Sequence, residues 1–394
     1  MAITINSTPN NYQSVHEDLW FVVSSTNTGQ TNFKYVFDVL INSTLVARIK
    51  SYPQPTTTKG LFNASTIVRN YWSSYFKPDS PATLFSYVGS DIRIPFTIQF
   101  GEEYGGTLYT NLTNGNYQCF NYYPNILDGL GAYNGTWYDD YKAMLITKRD
   151  QLNLVTRRSD GRCFVSLLNS AINTSANWKF EITRYNSGVA TTNTSGGNVA
   201  VLDYAMLDVS PSAINTYLGT SFITSDTDYY LLDSYENNAA QWSMRVNILC
   251  EPKFDAIPVH FLNSLGGYDT INFSLVNRET RNMERKSYEE IEWQYGSNSM
   301  DRVNGDNVFY GGSKVFTTSQ TITYRLTSDW LNLTDYNWIR DLIASPEVYM
   351  EDGGYYIPVK VNSNTWTEKK RYADKMYNLE LDIEFGSKAY SQFR

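Results

Sequence analysis

The chain has 394 residues, 42% of them hydrophobic and only 18% charged, with a net charge of −8. That length supplies two or three domains at roughly 150 residues each, and the acidic balance argues against nucleic acid as a partner, since phosphate binding needs a basic field. Aromatics reach 15%, with 32 Tyr, 19 Phe and 9 Trp, a composition suited to half-buried pleated surfaces and, where exposed, to contact surface.

Basic clusters occur at Lys148-Arg149, Arg157-Arg158-Arg162 and Arg281-Arg285-Lys286, and read as solvated or carboxylate-paired faces. Cys119, Cys163 and Cys250 are an odd set without CxxC spacing. They fit free thiols buried as small hydrophobes in a reducing compartment. The opening Met1-Ala2-Ile3-Thr4-Ile5-Asn6 has no basic region followed by an apolar stretch, so no signal peptide is expected. No apolar run approaches the roughly 20 residues of a membrane span. Triplets such as Asn42-Ser43-Thr44, Asn134-Gly135-Thr136 and Asn332-Leu333-Thr334 read as turn chemistry on an Asn/Ser/Thr-rich surface.

In chain order, a short strand is expected from Trp20 to Ser24. Phe33, Tyr35, Phe37, Val39 and Ile41 then form the inner face of a second, with Lys34 and Asp38 outward. Asn42-Ser43-Thr44 turns the chain onto a returning strand carrying Leu45, Ala47 and Ile49. A helix capped by Ser65 is predicted to place Ile67, Val68, Tyr71, Trp72, Tyr75 and Phe76 on one face and to stop at Lys77-Pro78. The clearest alternation follows, with Ile92, Ile94, Phe96, Ile98 and Phe100 against Arg93, Pro95, Thr97 and Gln99. It leads to a hairpin tip over Gly101–Gly106 that carries Glu102-Glu103.

Further strands are read from Trp178, Phe180 and Ile182 and from Trp242, Met244, Val246 and Ile248, with an exposed loop between Asn186 and Asn198. Pro258–Phe261 and Ile271–Val276 flank a turn-rich connection, Leu265-Gly266-Gly267-Tyr268-Asp269. Ile322, Tyr324 and Leu326 mark another strand. Thr334 is expected to cap a helix that buries Trp338, Ile339, Leu342 and Ile343 and closes at Ser345-Pro346, and Tyr355–Val361 and Leu379–Phe385 finish the sheet. No internal repeat is evident, which weighs against a propeller or β-helix.

The chemistry-bearing residues are few. A Ser–His–Asp arrangement needs a histidine base, and His16 and His260, the only two histidines, read as structural. Adjacent Glu102 and Glu103 point to opposite sides of an extended chain, which does not suit paired acid–base work. Glycoside hydrolysis needs only two carboxylates about 5–10 Å apart, and Asp139, Asp140, Glu289, Glu290 and Glu292 are the first to test for it. Trp137 and Tyr138 beside Asp139 and Asp140 form a possible sugar-stacking or partner-contact platform. No catalytic, cofactor or metal residue is assigned.

Several stretches resemble virion structural proteins of tailed bacteriophages, particularly those infecting Bacteroidota. They are Ser24-Ser25-Thr26-Asn27 with the Phe33–Ile41 strand, Gly101-Glu102-Glu103-Tyr104, Phe261–Gly267 with the Arg281–Tyr288 stretch, Leu342–Tyr349, and Tyr356-Ile357-Pro358-Val359. These are scaffold motifs, and no site residue is carried over. The resemblance implies a non-enzymatic subunit made in the bacterial host cytoplasm and assembled into a tail, baseplate or fibre-attachment structure. Its partners would be copies of itself and other virion proteins.

The expected fold is mainly β: tandem antiparallel β-sandwiches of the immunoglobulin or fibronectin type III kind with two short helices, divided at 1–115, 116–250 and 251–394. Two other functions stay open at this point, a module binding host-surface glycans through exposed Trp and Tyr and a carboxylate-dependent depolymerase.

Overall fold

The computed structural model describes residues 3–9, 13–72, 76–78, 83–89, 93–123, 144–158, 161–168, 177–197, 199–200, 204–236, 238–249, 254–305, 308–362, 377–386 and 389–390. The chain is mainly β and divides into two compact units, residues 1–249 with 262–270, and residues 250–261 with 271–394. Among the described residues no helix is long and apolar enough to cross a membrane.

The first unit holds two hydrophobic cores. One lies between a three-stranded sheet (Ile3–Ser7, Trp20–Ser25, Gly60–Asn63) and a five-stranded sheet built on Lys34–Ile41, Arg93–Tyr104 and Thr107–Phe120. Phe21 is its hub, with ring centroids 4.8 Å from Tyr117, 6.0 Å from Phe100 and 6.3 Å from Phe96. The turn expected at Asn42-Ser43 forms with both residues at positive φ (49° and 64°), the geometry that matches strand twist in a two-residue hairpin.

Alternation did not predict every orientation here. Asp38 is buried, because its strand is central and Arg48 from the neighbouring strand covers it, with Nε 2.7 Å from Oδ1 and Nη2 2.8 Å from Oδ2. Gly101–Gly106 is not a tip either. The strand runs on through Tyr104, and only Gly105-Gly106 turn.

The first helix is shorter than predicted, Ser65–Arg69, because Thr66, Ile67 and Val68 are consecutive β-branched residues that a helix disfavours. Its start is organised by the Asn63 side chain, whose Oδ1 accepts from the backbone N–H of Leu19 and of Ser65 at 3.0 Å each. Tyr71 is half exposed, so the aromatic stripe is not a single buried face.

The second core draws on a four-stranded sheet containing Phe164–Leu168 and Tyr204–Asp208 and a six-stranded sheet built on Asn177–Asn186, Tyr229–Glu236 and Ala239–Ile248. Phe164–Leu168 and Tyr204–Asp208 are buried throughout. One face meets the core. Over the other lies the segment 262–270, with Phe164 N–H donating to Thr270 Oγ1 at 2.8 Å and Tyr268 N–H to Ser166 Oγ at 2.8 Å.

Several elements of this unit escaped the sequence reading, among them the strands Phe164–Leu168, Tyr204–Asp208 and Tyr229–Glu236. A helix at Pro211–Leu218 sends Ile214 and Leu218 into the core and ends on Gly219 at φ 66°. The segment expected to be a loop after Asn186 contains the strand Val189–Asn193, which pairs back across a Ser187-Gly188 turn.

The remaining large sheet, most of it in the second unit, has eight strands in the order Tyr268–Phe273, Ile257–Leu262, Val348–Asp352, Tyr355–Val361, Glu380–Phe385, Gly312–Thr327 and Arg278–Glu290, with Ala389–Tyr390 also pairing Gly312–Thr327. The short helices Leu333–Trp338 and Arg340–Ala344 cover one face and bury Trp338, Ile339 and Leu342 against Val259, Phe261, Leu326 and Leu381. The cap is Asn332, whose Oδ1 accepts from Asp335 N–H at 2.8 Å, not Thr334. Its side chain sits one residue before the helix, where an oxygen reaches the N3 amide.

Candidate assembly surface

The described catalytic candidates do not converge. His260 is fully buried, its Nε2 3.3 Å from Glu351 Oε2 and its ring beside Tyr356. His16 Nε2 lies 2.9 Å from Asn121 Oδ1. Glu102 is buried within its strand, where a bulge set by Gly101 admits it, and its Oε2 accepts from Asn27 Nδ2 at 2.9 Å. Glu103 instead faces Lys34 and Lys50, and the hydrogen bond from Lys50 holds its carboxyl below the usual range. Trp137, Tyr138, Asp139 and Asp140 lie outside the described residues. Among the described residues, no group of three or more His, Cys, Asp or Glu side chains is placed to hold a metal.

What does stand out is a protruding β-ribbon in the second unit. Arg278–Glu290 and Gly312–Thr327 pair antiparallel from Arg278↔Arg325 to Glu290↔Gly312. At the root, residues Thr323–Thr327 also pair with Glu380–Phe385, and Ser319 and Gln320 pair with Tyr390 and Ala389. From Thr318 to Gly312 the only ladder among the described residues is the ribbon's own, about 20 Å at 3.4 Å per residue. Every residue from Arg278 to Glu289 is exposed. A two-stranded ribbon has no second layer to bury a face against, and an isolated hairpin is marginally stable in water.

The root is fastened by charge and hydrogen bonding. Tyr324 O–H donates to Glu279 Oε2 at 2.7 Å, and Arg281 contacts the same carboxylate. The Tyr324 hydroxyl is pushed up to about 12 by burial and by this bond. Conversely, Tyr324 and then Arg281 hold the Glu279 carboxyl low. At the far end Lys314 pairs with Glu290, which also accepts from Gly311 N–H at 3.3 Å. Glu289 and Glu290 sit on opposite faces of the strand, so the acids singled out there do not face each other.

Beyond the ribbon the chain forms two small hairpins, Trp293–Tyr295 with Met300–Arg302 and Asn304–Gly305 with Val308–Phe309. The Arg302 guanidinium lies 5.2 Å from the Trp293 ring centroid. Ile291 is 75% exposed, Tyr295 74%, Met300 59% and Phe316 52%, with Trp293, Tyr310 and Val315 also exposed. All seven fall between Ile291 and Phe316 in the chain. The residue types, Trp, Tyr, Met and Arg, are those enriched at interface centres.

The sequence reading recorded Arg281, Arg285 and Lys286 as a basic cluster and missed the ribbon. Both of its faces are wet, so no apolar alternation announces it. One signal was present, since no proline occurs between Pro258 and Pro346, and that leaves long uninterrupted ladders available. No protein-family model matches the chain, and no curated protein matches it either.

Proposed function

We propose that the protein is a non-enzymatic assembly subunit, a virion structural protein of a tailed bacteriophage in the tail, baseplate or fibre-attachment region. In this reading the facing sheets of the first unit are tandem sandwiches of the immunoglobulin or fibronectin type III kind and serve as rigid body, while the ribbon makes the contacts. Its partners are other copies and neighbouring virion proteins. The observation that carries the reading is the ribbon, twelve exposed residues on one strand followed in the chain by exposed Trp, Tyr, Met and Ile side chains. A monomer gains nothing from ordering such an element, whereas a partner that buries it gains roughly 1.5–3 kcal/mol for each large apolar side chain removed from water.

The test is excision. Met283 pairs with Gln320, so replacing residues 284–319 by Asn-Gly closes a two-residue hairpin at the root and keeps the pairing with Glu380–Phe385. Mass photometry of the full chain is expected to show discrete oligomers, and the excised variant is expected to stay monomeric and to be left out of particles reconstituted with the other virion proteins. An excised variant that assembles like the full chain overturns the reading.

A further inference from the structure

Arg278–Glu290 is the last strand of its sheet, and among the described residues no strand pairs its outer side. Folded proteins blunt such an edge by keeping it short, by a proline, by a bulge on the edge strand itself or by charged side chains. This edge has only the last of these. It is thirteen residues long, contains no proline, and the ladder's one irregularity places the extra residue, Phe316, on the inner strand. What the edge does carry is charge, in an order that matches itself when reversed.

We propose that this edge pairs antiparallel with the same strand of a second copy, about a twofold axis at Arg285, so that one sheet continues through both subunits. In an antiparallel pair, residues equidistant from the axis face each other on the same side of the sheet. An axis at Arg285 sets Arg281 against Glu289 and Glu284 against Lys286, and symmetry makes each pair twice. Met283 meets Ser287, and only Arg285 meets its own copy. Neighbouring registers are worse. An axis at Met283 opposes Arg281 and Arg285 twice. One at Glu284 gains two Arg278–Glu290 pairs but opposes Glu279 and Glu289 twice and Glu284 to itself. One at Asn282 gains two Glu279–Arg285 pairs but loses them to two Arg278–Lys286 repulsions. One at Lys286 creates no complementary pair. Backbone bonding along the edge supplies attachment, and the charge order selects the register.

This inference rests on the assembly reading and is tested on the full chain by sedimentation and mass photometry. Glu284→Lys and Lys286→Glu each place like charges opposite each other at two positions, and each is expected to weaken self-association by about tenfold or more. The double variant, Glu284→Lys with Lys286→Glu, restores opposite pairs and is expected to return to within about threefold of the parent. Both positions are exposed, so circular dichroism is expected to be unchanged. Independently, Arg285→Cys is expected to give a disulfide-linked dimer on mild oxidation, because directly opposed residues bring Cα atoms within about 4.5–5.5 Å. Single variants that associate like the parent, a double variant as weak as the singles, or an Arg285→Cys chain that does not cross-link each overturn the twofold while leaving the assembly reading in place. A full chain that stays monomeric at every concentration and joins no particle overturns both.

Discussion

Asp38 and Glu102 occupy positions in strands whose alternation is otherwise regular, and both are buried. A period of two tells which residues share a face but not whether the second face meets water. That depends on what the neighbouring strand lays across it, and Arg48 does so for Asp38. The thiols show the same dependence. Burial pushes the Cys119 thiol up to about 12, and Cys163 is buried as well. Both are expected to resist alkylation at neutral pH in the folded chain and to react once it is unfolded, a difference that peptide mapping by mass spectrometry reads directly. Fast labelling of Cys119 in the native protein would contradict its placement.

Acid titration carries a signed expectation at the same scale. Asp382 is held low by Arg325, with Nε 2.8 Å from Oδ1 and Nη2 3.0 Å from Oδ2. A carboxyl that ionises more readily folded than unfolded stabilises the fold above its ordinary range, and that contribution is lost as pH falls through the folded value. The pair is solvent-exposed on both sides, so screening limits it to roughly 0.2–1 kcal/mol. Urea unfolding is expected to separate Asp382→Asn from the parent by that amount at neutral pH, and the difference is expected to shrink as the pH falls below the ordinary aspartate range.

At the scale of elements, close approach decides more than propensity. The Leu265-Gly266-Gly267 turn was legible because glycines punctuate strands, and Gly266 does adopt φ 88°. The reason for the second glycine was not legible. A Cβ on Gly267 would lie 2.6 Å from Ser166 Cβ and 2.8 Å from the Ile146 carbonyl oxygen, where segment 262–270 packs on the strand Phe164–Leu168. Gly267→Ala is expected to destabilise the first unit by about 1–3 kcal/mol, measured as a lower urea midpoint with an unchanged slope. A neutral result would mean that the segment is not seated there.

The helical turn that buries Trp338, Ile339 and Leu342 was legible from its apolar spacing, whereas the stripe from Ile67 to Phe76 gave only Ser65–Arg69 and one helix was missed. Pro211–Leu218 spans eight residues and offers only Ser210-Pro211 before it and Gly219 after it as signals.

At the scale of the whole molecule, the ribbon lies outside the cores. The third core is built from Val259, Phe261, Leu326, Trp338, Leu381 and their neighbours, and the excised residues 284–319 contribute nothing to it. Excision is therefore expected to leave the unfolding transition of the monomer essentially unmoved while abolishing assembly. Differential scanning calorimetry beside mass photometry separates the two effects, and a variant that loses both would make the ribbon part of the fold.

The amino-acid order by itself determined that this is a β protein and marked several of its core strands, because burying one face of a pleated strand imposes a two-residue period; Phe164–Leu168 and Tyr204–Asp208, buried on both faces, carry no such period and were not legible. Tertiary structure alone decided which polar residues are buried, which glycines must be glycine, and that Arg278–Glu290 is, among the described residues, the last strand of its sheet. Those properties depend on strand order and on contacts between residues far apart in the chain. A local pattern carries no record of either.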